Sequence, residues 1–105
     1  MEKRQPLETL EGHGRLVWEA HSLPVRHDVS VFQYTDVGPD GSVLLAHREI
    51  EARIEADDQY ALAQANGRDD LVLHLQDGRS FPCVLTEAQG GAGWLEGTGE
   101  LSSRE

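Results

Sequence analysis

Apolar and polar positions alternate along much of the chain, and the alternation has period two. In residues 14–21 Leu16, Trp18 and Ala20 fall on one side, with Arg15, Glu19 and His21 on the other. In residues 25–34 Val25, Val29 and Val31 fall on one face. A strand places successive side chains on opposite faces, so each stretch predicts a half-buried strand. The short connector Ser22-Leu23-Pro24 predicts a hairpin. Matching apolar faces sets Ala20 against His27, Trp18 against Val29 and Leu16 against Val31. In that register Val17, Phe32 and Tyr34 form an outward apolar patch, with Val17 and Phe32 diagonal neighbours.

Asp36-Val37-Gly38-Pro39-Asp40-Gly41-Ser42 predicts a turn, because proline fixes φ and Asp-Gly tolerates positive φ. It resembles a calcium loop only in its Asp and Gly residues. Gly38 and His47 stand where that loop needs an acid or amide and a glutamate. Residues 43–56 carry Leu44, Ala46, Ile50, Ala52 and Ile54 on even positions, which predicts a third strand. Their Ala, Glu and Arg content leaves a helix as the alternative. Residues 57–67 predict a short helix capped by Asp57, with Tyr60, Ala61 and Ala65 on its apolar face and Gly67 at its end. Residues 70–86 predict a hairpin. A three-residue loop at Asp77-Gly78-Arg79 sets Leu73 opposite Cys83 and makes Cys83 a core residue. A two-residue turn would put Cys83 on the side of His74. A last strand follows the Gln89–Gly93 turn, and Gly97 and Gly99 mark curvature or close backbone approach.

The order is β-β-β-α-β-β-β. It predicts a mainly β fold: a small six-stranded antiparallel barrel or half-barrel with one short helix between strands 3 and 4. A helical 43–56 would make it an α+β sandwich instead. One domain over residues 12–101 is expected, with a flexible N-terminal segment at 1–11 and a tail at 102–105.

Nineteen acidic against nine basic residues give a net charge of −10. With one lysine and no basic cluster, the chain is not expected to bind nucleic acid or an anionic membrane surface. The single cysteine excludes an internal disulfide and any multi-cysteine zinc motif. No apolar run reaches the length of a membrane span and no signal-peptide core is seen, so a soluble cytoplasmic protein is expected.

The five histidines suggest a metal site, and the register argues against it. His21 points out, His27 points in, His13 precedes the strand, and His47 and His74 lie on other strands. No metal or other cofactor is expected, and no catalytic residue is assigned. Glu49, Glu51 and Glu55 alternate along one strand face, an acidic docking surface for a basic protein partner. The expected function is a protein-interaction or self-associating module without catalysis, a homodimer through Val17, Phe32 and Tyr34. The alternative is a small-molecule-binding or enzymatic barrel whose mouth lies near Trp18, His27 and Trp94.

Overall fold

The computed structural model describes residues 2–102. Its elements are β1 (Glu2–Trp18), β2 (His21–Val37), β3 (Val43–Glu55), α1 (Gln59–Gln64), β4 (Leu71–His74), β5 (Ser80–Gln89) and β6 (Ala92–Gly97). All neighbouring strands are antiparallel and follow the order β1-β2-β3-β6-β5-β4, with β1 and β4 closing the ring. The mainly β expectation and the helix between the third and fourth strands are both met. Residues 43–55 are strand, so the sandwich alternative falls.

The first hairpin is longer and tighter than its pattern implied. Its turn is Glu19-Ala20, and Trp18 faces His21, Leu16 faces Leu23 and Gly14 faces Val25. Glu19 adopts a left-handed φ of 48° to make the turn. Pro24 resembled a turn signal but lies within β2, ahead of Arg26, where pairing with β3 begins. The expected pairs Ala20/His27, Trp18/Val29 and Leu16/Val31 are therefore corrected, and Ala20 is an exposed turn residue. The register moved by an even number of residues, so the buried face survived: Leu16, Trp18, Leu23, Val25, Val29 and Val31 are all core. The N-terminal stretch expected to be loose over 1–11 enters β1 from Glu2 onward. At the other end Ser102 bridges to Ser80.

The β4–β5 hairpin turns through Gln76-Asp77-Gly78, with Leu75 N–H donating to the Arg79 carbonyl at 2.8 Å. Leu71 therefore faces Cys83 and Leu73 faces Phe81, two residues from the expected register and on the same faces. In α1 the cap is Asp58 rather than Asp57, and its carboxylate accepts from Ala61 N–H at 3.0 Å. Leu62 and Ala65 enter the core, whereas Tyr60, expected on the apolar face, is exposed.

The ring interior is filled. Phe81, Leu16, Ile54, Leu62, Leu71, Leu73, Val29 and Cys83 are its most completely buried side chains. Closure needs small residues. A Cβ on Gly14 would land on the His74 carbonyl oxygen, and one on Gly97 would stand 2.9 Å from the Ile50 Cβ.

The ring does not use its first three strands in full. β4 pairs with β1 only at Arg15, Leu16 and Val17, and β6 pairs with β3 only from Glu51 to Glu55. The rest of β1, β2 and β3 continues as a three-stranded arm, and the molecule measures 52 × 29 × 21 Å.

Candidate functional site

Three regions concentrate polar or exposed chemistry: the seam beside β4, the outer face of the sheet, and the arm.

At the seam, β1 and the β4–β5 turn separate beyond Arg15 and His74. His27 bridges them from below. It is 3% exposed, its Nδ1 lies 3.1 Å from the Leu10 carbonyl oxygen, and its Nε2 accepts from Gln76 N–H at 3.1 Å. The Gln76 donor fixes the tautomer: Nδ1 carries the proton and donates to Leu10. The Gln76 side chain adds a second tie by accepting from His13 N–H at 2.9 Å. Both ring nitrogens are consumed by the backbone, so the geometry describes a structural bridge.

The remaining histidines are dispersed as the alternation implied. His21 and His74 are exposed, and His47 stacks on Tyr34 with ring centroids 4.5 Å apart. No group of three metal-ligating side chains occurs among the described residues. His27, Trp18 and Trp94 do not converge on a mouth. Trp18 is buried beside the β1–β2 turn, with its ring 5.4 Å from that of His21, whereas Trp94 lies on the outer face across from Arg53. Cys83 is buried, and desolvation pushes its thiol up to about 12, far from a nucleophile's range.

The outer face carries two shallow clefts. One, of about 460 Å³, is bounded by Glu11, His13, Arg26, Asp28, Arg53 and Glu55. Its neighbour, of about 410 Å³, runs past Ser30, Glu51, Thr86, Trp94 and Glu96. Of the three glutamates expected to form an acidic surface, Glu55 borders the first cleft and Glu51 the second, Glu49 borders neither, and each has a partner. Glu51 meets Arg4 at 3.2 Å, Glu55 meets Arg26 at 3.4 Å, and Glu49 accepts from the Tyr34 hydroxyl at 3.0 Å. That last bond raises the Tyr34 pKa, because ionisation would set two anions together.

The patch expected from Val17, Phe32 and Tyr34 is divided. Val17 lies between Ser22 and Val72 at the ring, and Phe32 faces Pro6 on the arm, so the two are not neighbours. The Arg4 guanidinium covers Phe32 at 3.4 Å from the ring centroid, and His47 covers Tyr34.

Exposed apolar surface appears elsewhere, at the end of the arm. Val43, Leu44 and Leu45 are 63%, 61% and 76% exposed. Just inward, β3 carries a bulge: Ala46 and His47 together oppose Tyr34 alone, between the pairs Gln33/Arg48 and Thr35/Leu45. Gln33 repairs the broken ladder. Its buried amide donates to the Tyr34 carbonyl at 2.9 Å and the His47 carbonyl at 3.1 Å, and accepts from Arg48 Nε at 3.2 Å. Among the described residues no buried side-chain nitrogen or oxygen lacks a partner.

The sequence carries one signal for this end, Val43-Leu44-Leu45. Three consecutive large apolar residues after a turn cannot all share one strand face. Among the described residues no helix is long and apolar enough to cross a membrane. Compared with protein-family models, curated proteins and solved structures, the chain matches none.

Proposed function

We propose that this chain is a small, soluble, cytoplasmic protein-interaction module that works without catalysis, and that a second copy of itself is its first partner. One observation carries the reading: the arm holds Val43, Leu44 and Leu45 in solvent on a strand that β6 leaves unpaired before Glu51. Exposed apolar residues on an open strand edge are a template for another polypeptide. The cytoplasmic part of the reading is supported by a single, buried cysteine.

A basic protein partner belongs to the same reading, on a separate surface. Glu11 stands directly across from Asp28, and Glu51 directly across from Glu96. Like charges in opposed strand positions repel; Arg4 already meets Glu51, so a cationic side chain laid along the first cleft would relieve Glu11 and Asp28. With Val17 apart from Phe32 and Tyr34, the contact expected of those three residues passes to the β3 end of the arm.

Native mass spectrometry on gently isolated protein tests the reading. The expected result is a species of twice the chain mass that reverts to one chain on denaturation. A monomer at every concentration, or a small molecule that survives native conditions and leaves on denaturation, would overturn it.

A further inference from the structure

The open stretch of β3 has a face pattern that suits one partner in one register. Directly opposed residues in a sheet share a face. Val43, Leu45, Arg48 and Ile50 oppose Val37, Thr35, Gln33 and Val31, of which the last three are buried, so these four lie on the inner face. Leu44 and Glu49 oppose Asp36 and Phe32, and His47 stacks on Tyr34, so these lie on the outer face. The bulge at Ala46 and His47 is what switches the inner face from odd to even positions.

That switch decides how two copies of the edge can meet. An antiparallel pair related by a two-fold axis through the sheet must set inner residues against inner ones. An unbulged strand would need an even sum of paired numbers. Here the register that pairs residues 44–49 with themselves has an odd sum and satisfies the rule throughout. Leu44 faces Glu49 of the copy, Leu45 faces Arg48 and Ala46 faces His47, while Ile50, buried and flanked by Gly97, stays within its own ring. Moving it by one residue sets Val43 of the inner face against Glu49 of the outer. No like charges meet in the favoured register, and Arg48 and Glu49 offset one another, so the net charge of −10 is not concentrated at this edge.

The outer edge of β1 offers no equivalent. It carries Lys3, Arg4, Glu8 and Glu11, and its one exposed large apolar residue, Leu7, sits in the bulge between Pro6 and Glu8 that interrupts it. Charge, proline and bulges are the devices that blunt strand edges.

Resting on the self-association reading above, we infer that two copies join through β3 in this register, continuing the three-stranded arms into one six-stranded antiparallel sheet. An edge contact this short belongs to the class below about 1,200 Å², so the dimer forms and dissociates readily.

Substitutions of exposed edge residues test the register by the sign of charge. Leu44→Glu meets Glu49 of the copy and Leu45→Lys meets Arg48, so each weakens the dimer tenfold or more. Leu44→Lys and Leu45→Glu meet opposite charges and stay within about threefold of the parent, a separation of roughly 1.4 kcal/mol per decade. Sedimentation equilibrium reads all four, with circular dichroism confirming that each is folded. As a second readout, the double variant Leu44→Cys with Glu49→Cys gives a disulfide-linked dimer on mild oxidation, and neither single variant does. Within one chain these positions are about 16 Å apart along the strand, too far for a disulfide. A dimer that ignores the charge signs and fails to crosslink overturns the register and leaves the self-association reading standing. A parent chain that stays monomeric throughout overturns both.

Discussion

His27 joins two pieces of backbone that no strand pairing connects, Leu10 on β1 and Gln76 in the β4–β5 turn. Replacing it with alanine empties a buried site and takes the partner from a part-buried N–H and a part-buried carbonyl. The expected loss is about 2–4 kcal/mol in denaturant unfolding, against less than about 0.5 kcal/mol for His74→Ala on the exposed face. An equal, small effect of both would remove His27 from its bridging role. That His27 points inward was legible from the alternation of β2. That its ring is used up by backbone was not, because the partners lie seventeen and forty-nine residues away. Cys83 makes a parallel case. Its core position follows from the hairpin pattern, and burial holds its thiol protonated. Iodoacetamide at pH 8 is expected to leave it unmodified in the folded chain and to label it within minutes in urea. Rapid labelling without denaturant would contradict that burial.

At the scale of elements, faces were readable and registers were not. The strands around the ring kept the buried side that period two assigned, but β3 kept it only from Ile50 onward: the bulge at Ala46 and His47 sends Leu44, expected to share the face of Ile50, to the outer side, and Ala46 is exposed with it. The first hairpin nevertheless turned at Glu19-Ala20, because β2 accommodates Pro24 outside its paired stretch with β3. The helix boundary moved by one residue for a similar local reason, Asp58 rather than Asp57 reaching Ala61 N–H. The seam between β1 and β4 depends on a missing side chain. Gly14→Ala would drive a methyl group into the His74 carbonyl oxygen. It is expected to cost about 1–3 kcal/mol or more in thermal or denaturant unfolding. An unchanged midpoint would mean the seam is looser than described. Charged ties hold the elements together from outside. Arg79 reaches both Glu8 on β1 and Asp77 in the turn, each at 2.7 Å, and Arg68 links Glu19 to Asp70. The Arg79 hydrogen bond lowers the Glu8 pKa below its ordinary 4.5, and the Arg68 hydrogen bond lowers that of Asp70 below 3.8. A carboxylate lowered by folding stabilises the fold above its unfolded value and ceases to do so as pH falls through the folded one. Stability is therefore expected to hold from neutrality down to about pH 4.5 and to decline below it, less steeply in Glu8→Gln. Insensitivity of that variant's pH profile to the substitution would show that the tie contributes nothing.

For the molecule as a whole, composition and pattern made the six-stranded ring with its helix legible, and the arm was not. Nothing in the alternation of β1, β2 and β3 says where β4 and β6 stop pairing with them, since that depends on the lengths of strands distant in sequence. The contact surface was hidden for the same reason. Phe32 and Tyr34 do face outward, but Arg4 and His47 cover them, and Arg4 comes from a segment that had no strand signal. Leu7 and Tyr60 are exposed singly, whereas the three consecutive apolar residues left in solvent are those at the β3 end of the arm, where another chain would cover them. Amide hydrogen exchange across a dilution series addresses that directly. As protein concentration rises, amides of residues 44–49 should gain protection, while those along the outer edge of β1 and beside Trp94 stay unchanged. Exchange at residues 44–49 that does not depend on concentration, or protection appearing at β1 instead, would contradict the account.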